Sequence, residues 1–498
     1  MDNQEDSQNF KGKDFFAKID SPEEETKVDL GIQKPSEEIP PQVSPPFVSE
    51  APASPTFPMP ESVPPEMDTG GRGNLKKILL LVAGVLLIFG FFFFIISKVI
   101  PQFKKGEEVT LSYWGLWEPS SVMNQIIADY QKTHPKVKIN YLQQSPKEYR
   151  ERLQSALARG EGPDIFRFHN TWVPMIKNDL APIPASIMDA ATFERLFYPV
   201  ARTDLRFGNS YLGIPLEIDT LALFYNEEIF NTAGKSPPKT WDEFRKVALE
   251  LTVKDASGKI QTAGAALGIT NNIDHWSEIL GLMLLQNGAD LSNPTTNLAE
   301  DALSFFSIFS RSDRVWDETL PSSTYYFASG RLAMYFGPSW RVFDIKALNP
   351  SLKFKVISVP QLPGANLGWA TYWVEGVSKK SPNLNQAWEF LKYLSSKETL
   401  EKLYQEESKL RLFGEAYSRT DMAESLRKEP YVGAFIEQAS MAKSWYLCSR
   451  TFDNGINDKI IKYYEDAVNA VNKGQSIKSA LATVAQGVTQ VLGQYGVK

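Results

Sequence analysis

The sequence predicts an α/β fold, and three observations carry that prediction. From Val109 onward, strand-like and helix-like runs alternate across short connections, the pattern of a parallel sheet covered on both faces. The helix-like runs are bounded by capping residues at their starts and by glycine or proline at their ends. Tryptophans and polar residues gather just past the strand-like runs, where open α/β sheets bind ligands.

The elements follow in order. VTLSYW (109–114) is the first strand. Ser121 is read as a helix cap, with Val122, Ile126, Ile127 and Tyr130 on one face and Pro135 as the stop. VKINYL (137–142) is the second strand. Ser145, Pro146 and Glu148 read as a capping box with proline at the first helical position, opening a helix to Arg159 that Gly160 closes. PDIFRF (163–168) begins the third strand. Trp114, Trp117 and Glu118 follow the first strand, and His169, Asn170 and Trp172 follow the third.

YLGIPLEIDTLALFYN (211–226) is a long extended run holding Glu217 and Asp219 at alternate positions, so both side chains are expected on one side. Asn226 suits a helix N-cap, Gly234 a left-handed end, and Pro237 and Pro238 forbid continuation. Thr240 and Glu243 form a capping box for the next helix. FASGRLAMYFGPSWRV (327–342) reads as a helix end, a strand and a Gly-Pro turn bearing Trp340 and Arg341. ISVPQLPG (357–364) ends a strand, and LGWATYWVEGVS (367–378) is another, carrying Trp369, Tyr372 and Trp373. Ser381 and Pro382 start a helix striped with Ala387, Trp388, Leu391 and Leu394. The C-terminal part is helical over Asp458–Asn472 and Ser476–Leu492.

Upstream of this body the composition changes. The first 77 residues hold twelve of the 32 prolines and a net charge of −7, which leaves +1 of the whole-chain −6 for residues 78–498. Residues 1–74 read as a disordered, acidic, Pro-rich tail, a spacer or a docking segment for a cytoplasmic partner. Residues 75–100 read as a transmembrane helix and 101–108 as a linker. The apolar run Ile78–Ile96 would span about 28 Å as a helix against a hydrocarbon core of about 30 Å. It lacks the length pattern and cleavage site of a signal peptide, so it is read as an uncleaved anchor. Three basic residues flank it on each side, and charge bias leaves its orientation open.

The near-neutral body lacks the basic footprint of nucleic-acid binding, so no nucleic acid is expected as partner. Cys448 is the only cysteine, so there is no internal disulfide. The histidines 134, 169 and 275 show no paired spacing, and neither a metal nor a cofactor is expected. No nucleophile elbow, phosphate loop, dinucleotide fingerprint or zinc motif is present, so an enzyme is not expected.

Several segments, in one order, resemble the extracellular solute-binding proteins of ABC importers, in the cluster that includes maltose-binding protein and other sugar-binding proteins. They are the first strand ending in Trp114, the Gly160–Asp164 junction, GIPLEIDTLALFYNEEIF, the PPKTWDEF box, FASGRLAMYFGPSW and SPNLNQAWEFLKYLSS. The resemblance covers about Val109 to the C-terminus. It implies a two-lobed periplasmic-binding-protein-like fold (type II) with an interlobe cleft. Lobe 1 would comprise about 109–217 and 365–425, and lobe 2 about 223–360 and 430–498. Residues 217–223 would be the first crossing strand, and the return would lie near Val359–Pro363. The resemblance also implies an extracellular domain, a cytoplasmic tail, and delivery of a captured solute to ABC transporter permease subunits. The uncleaved anchor and the long tail depart from the family's usual cleaved or lipidated start.

A sugar presents hydroxyls at its edge and an apolar C–H face, and a matching site combines flat aromatics with planar polar groups. On that chemistry the ligand-binding candidates are Trp114, Trp117, Asn170, Glu217, Asp219, Trp340, Trp369, Tyr372, Trp373 and Trp445. Each aromatic could instead be packing, and the two carboxylates could instead be hinge groups. Trp241 and Trp388 are assigned to the core, and Asp164 to the junction. A membrane-tethered glycosidase, which would also use paired carboxylates, and a sensor signalling to the tail are the alternative functions.

Overall fold

The computed structural model describes residues 108–497, so the tail, the apolar run Ile78–Ile96 and the linker to residue 107 lie outside it. Among the described residues no helix is long and apolar enough to cross a membrane.

Two five-stranded sheets organise the chain. The first has the order Val137–Gln143, Val109–Gly115, Ile165–His169, Trp373–Val377, Ile214–Pro215. Its first three strands are parallel, as the strand–helix alternation requires, and the last two pair antiparallel. The second has the order Phe354–Ile357, Ala222–Asn226, Leu332–Gly337, Ile260–Ala265, Val253–Lys254. Each sheet anchors one lobe.

Local chemistry accounts for the helices around them. Ser120–Thr133 buries Val122, Met123, Ile126, Ile127 and Tyr130, and Tyr130 meets Phe390 of the helix Leu384–Leu394 at 5.0 Å. Asp164 fixes the junction before the third strand, accepting from the N–H and hydroxyl of Ser112 and from the Ser381 hydroxyl. In the second lobe the Asn226 side chain accepts from the N–H groups of Glu228 and Ile229, starting the helix Glu227–Ala233. Gly234 ends that helix at φ 62°, and the Thr240–Glu243 capping box opens Trp241–Leu251. Trp241 and Trp388 are buried, as assigned. The helices Asn297–Arg311, Ile456–Asn472 and Ile477–Gln494 pack together on the second lobe.

Five expectations are corrected. The first helix starts at Ser120 with Pro119 at its N-cap and no side-chain cap, so Ser121 does not cap it. The helix expected from Ser381 and Pro382 starts at Leu384, with Asn383 at its N-cap. The helix after the second strand starts at Tyr149, because Glu148 adopts a left-handed conformation (φ 53°) and no side chain caps the helix. Residues 367–378 are two strands, Gly368–Trp369 and Trp373–Val377. Gly368–Trp369 pairs with Ala442–Lys443 outside both large sheets. The return crossing therefore runs through about 367–372 rather than 359–363. There Ala370 bridges Thr220 antiparallel, and the Leu221 and Thr371 N–H groups donate to Trp369 O and Asp219 O. A third pass joins them where Glu217 bridges Tyr417 and the Ile218 N–H donates to Ala416 O.

Candidate functional site

The crossing segments bring polar and aromatic side chains of both lobes together. In the first lobe, the Trp117 and Trp373 rings meet edge-to-face at 5.4 Å, and Trp373 also contacts His169 and Trp172 at 5.1 and 5.3 Å. Arg167 holds the two stretches that carry this pair. Its Nη1 donates to Glu118 and its Nε to Glu375, both at 2.6 Å, with all three side chains no more than 3% exposed. Glu118 follows Trp117 in sequence, and Glu375 shares a strand with Trp373.

In the second lobe, Trp340 follows the strand Leu332–Gly337 and is half-buried. Its ring lies edge-to-face with His275 at 5.5 Å, with the Arg341 guanidinium 4.3 Å and that of Arg450 6.0 Å from its centroid. Arg341 donates from Nε to His275 Nε2 at 3.0 Å and pairs with Asp274 and Asp344. Since Nε2 accepts, the His275 proton sits on Nδ1, facing Glu278 Oε1 at 3.5 Å and Ser449 Oγ at 3.3 Å. Burial lowers the His275 pKa, leaving the ring neutral. Burial would raise the Glu278 carboxyl, but the hydrogen bonds to His275 and Ser449 hold it below the usual range.

Asp219 links the two walls. It accepts from the Ser339 N–H at 3.0 Å, the Ser339 hydroxyl at 2.9 Å and its neighbour's N–H at 2.8 Å, while its carbonyl takes the Thr371 N–H. Enclosure raises its pKa to about 8 despite those bonds. The Thr371 hydroxyl lies 2.9 Å from Nε2 of His169, whose Nδ1 contacts the Thr171 hydroxyl at 2.7 Å. Burial lowers His169 to about 3, so it too is neutral. A continuous set of contacts thus runs from Trp117 through Trp373, His169, Thr371, Asp219 and Ser339 to Trp340.

The remaining candidates fall elsewhere. Trp369 is 0% exposed and lies so close to the helix Trp276–Gln286 that a β-carbon on Gly281 would come within 2.6 Å of its ring, so it packs. Tyr372 is also buried, donating to Asp204 Oδ2 at 2.8 Å. Asn170 spends its amide on Asp204, Ser444 and the Tyr372 N–H, which makes it a brace. Glu217 and Asp219 do not share surroundings, because the segment between the sheets is bridged only at isolated positions and is not a regular strand. Glu217 is buried beside Glu415 of the third pass, to which its carboxyl hydrogen-bonds. Burial first and the Glu415 charge second push its pKa well up. Trp114 is half-buried against the core, and Trp445 is half-buried against Tyr446 and Tyr464. Ser339, Thr371, His275 and Arg450 were not among the candidates. Ser339 sits inside the quoted Gly-Pro-Ser-Trp turn and could have been found there, whereas His275 and Arg450 have no local sequence signal.

The profile of bacterial extracellular solute-binding proteins matches residues 125–412. The chain belongs to that family. Among its relatives, this solute-binding protein is 22% identical over 317 residues to the multiple sugar-binding protein of Streptococcus mutans, covering 60% of this chain and 74% of that one. It is 29% identical over 138 residues to the maltotriose-binding protein of Pyrococcus abyssi, a match spanning 27% of this chain and only 29% of that one. The solved structure of the sugar-binding protein MalE from Xanthomonas citri aligns with a TM-score of 0.64 at 20% identity, over 78% of this chain and 98% of that one. That likeness is one of fold. It gives this solute-binding protein the mixed α/β architecture of the two-lobed sugar-binding proteins.

Proposed function

We propose that the protein captures an uncharged carbohydrate between its lobes and delivers it to the permease of an ABC transporter, while the span Ile78–Ile96 holds it to the membrane. The tail would lie in the cytoplasm and the two-lobed body outside the cell. The observation that carries the reading is the run of contacts that links Trp117 and Trp373 of one lobe through His169, Thr371, Asp219 and Ser339 to the turn bearing Trp340 of the other. Flat apolar rings suit the C–H faces of a sugar, and Asp219 supplies a planar polar group for its hydroxyls. The names of the relatives point the same way.

Charge pairing favours a neutral ligand over a phosphorylated one. Arg341 and Arg450 both already reach Asp274, and Glu278 is held by Ser449 and His275. A phosphate would have to compete with these partners, whereas a hydroxyl would not. Closure follows from the placement of the walls. Only a closed form engages aromatics of both lobes, so ligand shifts the population toward it. The candidate carboxylates serve as hydrogen-bonding and hinge groups, and the protein acts by binding alone.

A thermal-shift screen of the full chain in detergent against a sugar library tests the capture, since a ligand bound only by the folded form raises the melting point. Small-angle scattering should show a more compact body with the best sugar. No shift from any sugar, or unchanged compactness at saturation, would count against the reading.

A further inference from the structure

The connection from Cys448 to Gly455, ahead of the helix Ile456–Asn472, joins the two lobes, and the site described above uses only its first residues. Ser449 donates from its N–H and hydroxyl to Glu278 at 2.7 Å, and Arg450 reaches Asp274 at 3.1 Å, both in the second lobe. Toward the other end, Arg150 of the first lobe donates to Asp453 O, and Asn457 donates to the Thr171 hydroxyl at 2.7 Å. Gly455 lies so close to Met175 that a β-carbon would come within 2.6 Å of its sulfur.

Between these anchors the backbone is strained. Arg450, Phe452 and Asn454 hold φ at 58°, 53° and 41°. Asparagine tolerates that region, but a bulky aromatic rarely adopts it. Such strain persists where the surroundings impose it, and it concentrates at ligand clamps. Two side chains within the strained turn stand out. The Phe452 ring is only partly buried and is not among the hydrophobic groups packed against the core. The Thr451 side chain is 1% exposed, yet its hydroxyl has no hydrogen-bond partner among the described residues, a costly arrangement unless something else satisfies it.

We infer that Phe452 and Thr451 contact the ligand. The Phe452 ring takes the apolar C–H face of a sugar ring, and the Thr451 hydroxyl bonds a sugar hydroxyl. The left-handed backbone is the cost of presenting both from a strap that touches each lobe. The inference rests on the carbohydrate reading and adds a specificity-determining element to it.

The test is calorimetric titration of the full chain in detergent with maltotriose, diacetylchitobiose and mannotriose, alongside melting of the free protein. Phe452→Gly should weaken the tightest sugar by about tenfold or more. It should also raise the melting point of the free protein by about 1 °C, because glycine relieves the positive φ. Thr451→Val should weaken binding severalfold without lowering that melting point, and Phe452→Tyr should retain binding. Unchanged binding in Phe452→Gly, or a lowered melting point in it, would make Phe452 a packing residue and overturn the inference. If Trp340→Ala still weakens binding in that case, the carbohydrate reading survives. If none of the three sugars binds the unaltered protein, this inference falls, and the library screen then decides the carbohydrate reading separately.

Discussion

Asp219 receives both the backbone N–H and the hydroxyl of Ser339, at 3.0 and 2.9 Å, so the carboxylate of the crossing segment grips the turn that carries Trp340. A change in the angle of the crossing segment is therefore felt directly at the aromatic wall of the second lobe.

The titration of Asp219 gives the first prediction. Its pKa is about 8 in the folded protein against about 3.9 for an unfolded aspartate. The folded state thus holds a proton that the unfolded state has already lost between those values. The corresponding stabilisation is complete below about pH 4 and is lost as pH rises to about 8. Asp219→Asn should remove this slope. The melting point of the unaltered protein minus that of the variant should fall steadily across pH 4–8, and a flat difference would show that Asp219 titrates normally.

Two tryptophans should behave oppositely. Trp340 is half-buried beside its cations, so Trp340→Ala should weaken sugar binding about tenfold or more while barely moving the melting point. Trp369 is fully buried against Gly281, so Trp369→Ala should cost about 3–5 kcal/mol of stability by cavity formation. Urea unfolding and titration calorimetry on both variants check the contrast. A large stability loss in Trp340→Ala would reassign that ring to the core.

Removing Arg167 should be among the most damaging single changes in the first lobe. Arg167→Leu leaves Glu118 and Glu375 buried without their shared cation, a loss of about 3–5 kcal/mol at neutral pH. Part of that loss should return on acidification, because burial already raises the Glu375 carboxyl and its protonation removes a stranded charge. Urea unfolding at pH 7 and pH 4.5 measures it, and a loss equal at both values would mean that packing rather than charge is responsible.

The Glu217–Glu415 contact predicts a mild variant beside a severe one. Glu217 is held neutral by burial and by the adjacent Glu415. Burial would raise Glu415 too, but Arg411 and the Glu217 hydrogen bond keep its carboxyl below the usual range. Glu217→Gln preserves a neutral donor of the same shape and should change stability by less than about 1 kcal/mol at pH 7. Glu415→Leu takes from Arg411 one of its two carboxylate partners and should cost several times more. Equal losses in urea unfolding would contradict a shared proton.

Much of the architecture was legible because local rules acted there without competition. Asn226, Gly234 and the Thr240–Glu243 pair each cap as their chemistry demands, and the apolar stripes of 120–133 and 384–394 face the core. The misreadings lie where the backbone or a tertiary pairing departs from local preference. Glu148 takes a left-handed conformation in place of the capping box expected with Ser145, and Ala370 and Thr371 pair with the segment 219–221 in place of continuing a strand. Sequence alone pointed to Trp117, Trp373, Asp219 and Trp340. It could not separate them from Trp369 and Tyr372, because an aromatic at a strand end looks the same whether it stays partly exposed, as Trp117, Trp340 and Trp373 do, or is buried against a Gly281. The strained turn at 450–454 carries no glycine that would have betrayed its positive φ.

The lone thiol, Cys448, is fully buried, and burial pushes its pKa far up, so it should ignore maleimide reagents. The molecule is in effect already cysteine-free for labelling. Paired fluorophores can be placed on exposed positions such as Leu142 and Leu298 without stripping the native residue first, giving a direct optical test of the proposed closure.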